Sequence, residues 1–212
     1  MAWIVKTVSS SIGKKILMAL TGLFFCCFLT VHLLGNLTVY GGPDVFNGYV
    51  DRLHSLGALI RAAEVAMVVF ALVHVITGLT LALENFRARP EKYQMNKNGG
   101  GRTLGSSTMP YTGLILLIFI IAHLKGFHFA DHGTRSVYDI MVLAFGDRIV
   151  VFFYTFAMLV AGVHVYHGFW SAFQTLGLSH EKYTPGIKAV SLLFSLLVAV
   201  GFGFIPLWIS FF

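Results

Sequence analysis

Five apolar runs constrain the fold of this chain more than any other feature. They cover Lys14–Thr38, Gly57–Phe86, Met109–Ala130, Asp147–Phe173 and Ile187–Phe211. A helix crosses the hydrocarbon core of a bilayer with about 20 mostly apolar residues, and every run reaches that length. Inside lipid an unpaired backbone N–H or C=O is too costly to leave, so spans of this composition are helices. The expected fold is all-α: a single transmembrane domain over residues 1–212 with five spanning helices. Only 11% of the residues are charged and 57% are hydrophobic, whereas a soluble domain carries about 25% charged residues. The first run exceeds a signal-peptide core and lacks a small-residue cleavage site after it, so it reads as a retained span.

The polar segments between the runs give the topology. Ser9, Ser10 and Ser11 can cap the first helix. Gly41-Gly42-Pro43-Asp44 is a turn signal, and Val45–Leu56 reads as a short interfacial piece. Asn85–Ser107 is the most polar stretch, with Gly99-Gly100-Gly101 inside it. Asp131–Gly146 and Gln174–Gly186 link the remaining spans, the latter ending in a Pro185-Gly186 break. Of the 15 basic residues, 10 fall on the side of the N-terminus: Lys6, Lys14, Lys15, Arg87, Arg89, Lys92, Lys97, Arg102, Lys182 and Lys188. The positive-inside rule then puts the N-terminus in the cytoplasm and the C-terminus outside. The net charge of +6 therefore reports orientation, and no nucleic-acid partner is implied. Cys26 and Cys27 are adjacent in an apolar run, which excludes metal-ligand spacing and a disulfide framework.

Four of the runs carry a histidine deep in apolar surroundings. Intramembrane ionisable residues are costly and are functional candidates by default. His74 returns as His164, 90 residues on, and His32 returns as His123, 91 residues on; glycine follows each within four residues, at Gly35, Gly78, Gly126 and Gly168. This offset makes the first two and the next two spans an internal repeat. With the topology above, His74 and His164 share one level just inside the midplane. His32 and His123 share a second level, about 8–10 Å further out. Two histidine pairs at two depths match two bis-imidazole haem sites built from the facing helices of a bundle. The architecture expected is a four-helix haem-binding bundle plus a fifth helix. The glycines lie on the faces of their histidines, where the lack of a side chain leaves room for a porphyrin edge. A Cys-x-x-Cys-His attachment site is absent, so the haems would be b-type. His167 rivals His164 as a ligand, and His128, His132 and His180 read as interfacial. On the residues alone two other functions stay open: a cytochrome b of a hydrogenase or formate dehydrogenase, and a haem-free transporter using histidines as a proton relay.

The stretch Ser9-Ser10-Ser11-Ile12-Gly13-Lys14-Lys15-Ile16-Leu17-Met18-Ala19-Leu20-Thr21-Gly22, followed by Val31-His32-Leu33-Leu34-Gly35-Asn36-Leu37, resembles the first helix of a known family. That family is the single-chain, five-helix, dihaem cytochrome b anchor of succinate dehydrogenases and fumarate reductases. The resemblance implies a haem- and quinone-reactive subunit of succinate:quinone oxidoreductase, anchoring a flavoprotein (FAD) subunit and an iron–sulfur subunit on the cytoplasmic side. It further implies two haems b, with menaquinone or another quinone as substrate, in a complex that can form a higher oligomer. By position, His74 and His164 would ligate the inner haem iron, and His32 and His123 the outer one. The family's outer quinone site uses a carboxylate at the start of the second helix. The matching region holds Asp51, His54 and Glu64, any of which could supply the proton a quinone needs. Ser10, Ser11, Lys15 and Arg87 are candidate partners of the inner haem propionates, and Arg148 or Lys125 of the outer ones. Some fumarate reductases of this type carry a proton-conducting glutamate two residues before the fourth ligand; here that position is Gly162, which implies that this proton route is missing.

Overall fold

The computed structural model describes residues 2–88, 104–131 and 133–211. Eight α-helices run through them in order: α1 Ala2–Ser9, α2 Ser11–Asn36, α3 Pro43–Ser55, α4 Ala58–Arg87, α5 Leu104–His123, α6 Val137–Phe145, α7 Arg148–Thr175 and α8 Thr184–Phe211. No strand occurs among the described residues. The helices α2, α4, α5, α7 and α8 are long and apolar enough to cross a membrane, and the chain is a multi-pass membrane protein. The polar stretch with Arg89, Lys92, Lys97, Arg102 and Gly99–Gly101, and also His132, lie outside the described residues.

Local chemistry sets the helix ends. Free amides at a helix start need acceptors, and side chains supply them. Ser10 accepts from the Gly13 amide at 3.1 Å to open α2. Asp147 accepts from the Ile149 amide at 2.7 Å to open α7. Two stretches read from the sequence as connecting loops are partly helical. Within 131–146, Ser136 and Asp139 form a reciprocal capping box and start α6. Pro185 and Gly186 do not break the chain but sit in the first turn of α8, where a proline needs no amide. The third span starts upstream of Met109, at Leu104, and holds Pro110 inside it. It ends in a π-helical turn, Leu124–His128, directly after His123.

The four histidine-bearing helices form a ring. Helix α2 packs on α4 and α7, α5 packs on α7, and α4 meets α5 more lightly, so α2 faces α5 across the bundle and α4 faces α7. Helix α8 lies outside this ring against α7 and α2. Lys14 at the start of α2 is ion-paired with Glu84 at the end of α4, which ties those antiparallel ends together. At the opposite end α3 and α6 close over the bundle through a buried cluster of Val39, Phe46, Met141, Phe145, Val151, Ile205 and Ile209. There the Tyr138 amide donates to Asn47 Oδ1 at 3.2 Å.

Helix α8 is locked to α7 by a close approach and a hydrogen bond. A Cβ added at Gly162 would lie 2.9 Å from the Ala199 Cβ and 3.4 Å from the Ser195 carbonyl oxygen. The fully buried Ser191 hydroxyl donates to the Tyr166 carbonyl at 2.5 Å. Neither neighbour of Gly162 can move without moving a helix. Gly162→Ala is therefore expected to destabilise the bundle by about 1–3 kcal/mol, and Ala199→Gly in the same chain to recover most of that loss. Reversible unfolding in detergent checks this; equal stability of the single and double variants would refute it.

Candidate functional site

Two Thr-Gly dipeptides and two histidines form matching polar contacts between the histidine-bearing helices. On α2, Thr21 is 2% exposed, and on α5, Thr112 is 9% exposed. Each hydroxyl bonds back to its own helix, Thr21 to the Leu17 carbonyl at 2.7 Å and Thr112 to the Thr108 carbonyl at 3.1 Å. Each then meets a histidine of the next span: Thr21 Oγ1 lies 2.9 Å from His74 Nδ1, and Thr112 Oγ1 lies 3.0 Å from His164 Nδ1. The adjoining glycines make space for the rings. The Cβ position of Gly22 is 3.7 Å from His74 Cε1, and that of Gly113 is 3.5 Å from His164 Cε1. Across the bundle the His74 and His164 ring centroids are 6.5 Å apart at 63°.

The second pair, His32 on α2 and His123 on α5, has ring centroids 6.0 Å apart at 84°. Its support differs. A phenyl one turn earlier stacks on each imidazole: Phe28 on His32 at 5.1 Å and Phe119 on His123 at 5.7 Å. Phe202 of α8 also meets His32, and Phe127 and Tyr154 meet His123. Among the described residues no hydroxyl is hydrogen-bonded to these rings. His32 Nδ1 has only a 3.4 Å contact with the Asn36 amide, and the buried His123 Nδ1 has no hydrogen-bond partner among the described residues.

Both separations suit an iron atom shared between two imidazoles. Two metal–nitrogen bonds of about 2 Å each, added to the ring radii, put the centroids roughly 6 Å apart. Among the described residues no three His, Cys, Asp or Glu side chains are grouped to hold a metal ion. Paired histidines are the axial set for a metal whose other ligands come from a macrocycle. Of the four flanking glycines, only Gly168 has nothing within 4 Å of an added Cβ among the described residues; Gly78 faces Met18 at 3.5 Å, and Gly126 faces the Tyr154 hydroxyl at 4.0 Å. Gly35 departs from the expectation of room for a porphyrin edge. Tyr49 of α3 covers it, its hydroxyl 2.5 Å from where a Cβ would stand, so this glycine admits a tyrosine.

His167, the rival of His164, turns elsewhere. It packs on Gly105 at the start of α5 and edge-on to Trp170, with a buried Nδ1 that has no partner among the described residues. Asp51, His54 and Glu64 are exposed on α3 and the first turns of α4, and no hydrogen bond or ring contact joins any of them to a histidine pair among the described residues. Ser10 is committed to the α2 cap, its hydroxyl donating to the Thr7 carbonyl at 2.6 Å. Ser11, Arg87, Lys125 and Arg148 are exposed, as is Lys15. Lys15 borders an open cleft of about 530 Å³ with Ile12, Gln174 and Thr175, at the α2 start and α7 end. His128 and His180 are exposed at helix margins.

Several residues of the site escape a search for histidines alone. Thr21-Gly22 and Thr112-Gly113 stand 91 residues apart, as do Phe28 and Phe119. The repeat thus extends beyond the ligand-type residues, and its offset was the signal that could have found them. Comparison of the chain with protein-family models, curated proteins and solved structures finds no match.

Proposed function

We propose that the chain is the dihaem cytochrome b subunit of a succinate:quinone oxidoreductase, a succinate dehydrogenase or fumarate reductase. It would anchor the flavoprotein and iron–sulfur subunits and carry electrons between them and menaquinone or another quinone. The observation that carries the reading is the crossing of two imidazole pairs, His74 with His164 and His32 with His123, at the separations a shared iron requires. The resemblance of the Ser9–Leu37 stretch to the first helix of that family supports the assignment to this complex rather than to another respiratory one.

In this reading His74 and His164 hold the inner haem iron, and His32 and His123 hold the outer. Haem, when bound, supplies a one-electron carrier at each level. The chain's own part is to fix the imidazoles and to exclude water from them. Threonine hydroxyls do the first at the inner level, and stacked phenyl rings do it at the outer level. The basic residues flanking α2, α4 and α8 support a cytoplasmic N-terminus, on the side the partner subunits would occupy. Asp51, His54 and Glu64 lie at the other end, where the quinone would take up protons.

Reduced-minus-oxidised spectra of the purified protein test this. Two haems b per chain, both reducible by succinate in native membranes, are expected. A chain without a b-type band, or with one haem, would refute it; haems reducible by hydrogen or formate but not by succinate would move the assignment to the other respiratory cytochromes b.

A further inference from the structure

We infer that Thr21 and Thr112 are positioning residues that select one tautomer of His74 and His164 and so turn the free Nε2 lone pair of each ring toward the space between them. The inference rests on the proposed haem reading and adds residues to it. A hydroxyl has one proton to give. Thr21 is placed to give it to the Leu17 carbonyl and Thr112 to the Thr108 carbonyl, the bond a threonine in a helix ordinarily makes. Each oxygen can then only accept at its 2.9–3.0 Å contact with a ring nitrogen. With the hydroxyl proton so placed, the Nδ1 atoms of His74 and His164 carry the ring proton, and Nε2 is left as the electron-pair donor. A metal-bound imidazole whose other N–H is accepted by a fixed oxygen is held in orientation and made a stronger donor.

The arrangement occurs twice. Thr21 on α2 holds His74 on α4, and Thr112 on α5 holds His164 on α7, with each glycine neighbour clearing the same ring atom, Cε1. Each half of the chain thus builds one complete unit of threonine, glycine and imidazole, and the site closes where the halves meet. The outer pair has no such oxygen: the buried His123 Nδ1 is without a partner among the described residues. The two levels differ in what fixes the ligand, by hydroxyl acceptance at one and aromatic stacking at the other.

The test is a potentiometric titration of both b-type components in the membrane-embedded complex, with Thr21 and Thr112 each replaced by Val and by Ser. Valine keeps the shape and removes the acceptor, so the imidazole becomes a weaker donor. Expected are a raised midpoint potential for the His74/His164 component and a roughly 10–100-fold weaker hold on its haem. The other component should not move, and the serine variants should match wild type. Should a valine variant fail to accumulate, Thr→Ala at the same position is titrated instead. A valine or alanine variant with an unmoved inner midpoint, or a serine variant shifted as far as valine, overturns the inference while leaving the haem reading intact. A wild-type chain without haem overturns both.

Discussion

His164→Ala in the assembled complex is expected to abolish one b-type component and leave the other at full occupancy and unchanged potential. The same component should be lost with His74→Ala, because the two rings face each other 6.5 Å apart and would serve one site in the proposed reading. His32→Ala and His123→Ala should instead remove the second component. A b-type haem has no covalent link to the chain, so the axial bonds carry much of its retention. The expected loss exceeds the roughly 10–100-fold typical of deleting an outer partner of a metal ligand. His167→Ala is the control. Its ring packs on Gly105 and Trp170, away from His74, and its removal should spare both components. Spectra and haem-to-protein ratios of the five variants decide the matter. Loss of both components in His164→Ala with both retained in His74→Ala would break the proposed pairing, and so would loss of the inner component in His167→Ala.

The spans were legible because lipid leaves a helix as the only single-segment solution, and composition reports lipid directly. Their ends were less so. The starts of α2 and α7 could be read from Ser10 and Asp147, whose side chains reach the free amides. Helix α6 was hidden because its cap, Ser136 and Asp139, lies inside the polar stretch that reads as a loop. The pairing of the spans followed from the 90- and 91-residue offsets, since a repeat that buries one histidine per helix brings equivalent helices face to face. Side-chain detail did not follow. Gly35 and Gly168 look alike in sequence, one turn past a histidine, yet one is covered by Tyr49 from an interfacial helix and the other meets nothing among the described residues. What lies against a glycine depends on a segment distant in the chain, and periodicity carries no information about it. Gly162 shows the same limit. Its position suggested a missing proton carrier, and the structure adds a packing reason: a glutamate there would run into Ala199 and the Ser195 carbonyl. Thr21 and Thr112 were overlooked for a different reason. A threonine in an apolar helix ordinarily bonds its own backbone, and both do, so nothing in their local sequence marks the second bond to an imidazole.

Gly22 and Gly113 offer a steric test of that inner level that leaves every polar group in place. Their Cβ positions lie 3.7 and 3.5 Å from His74 Cε1 and His164 Cε1, which is ordinary van der Waals contact. Alanine at either position should therefore be accepted, with a helix-propensity gain of up to about 1 kcal/mol. Valine should not. Its two γ carbons fill two of the three staggered directions about 1.5 Å beyond Cβ, and in a close-packed interior the ring is what must yield. Swinging the His164 ring away would break its bond to Thr112 and carry it from its place opposite His74. Gly113→Val and Gly22→Val are accordingly expected to cut the inner component at least about 10-fold and to spare the outer one, whose rings rest on Phe28 and Phe119. Gly113→Ala and Gly22→Ala should retain both. Haem content and the ratio of the two spectral components measure this directly. A valine variant with a full inner component would mean that these glycines do not form the bed of the imidazoles, and an alanine variant as damaged as valine would mean that the helices meet there too closely for any side chain.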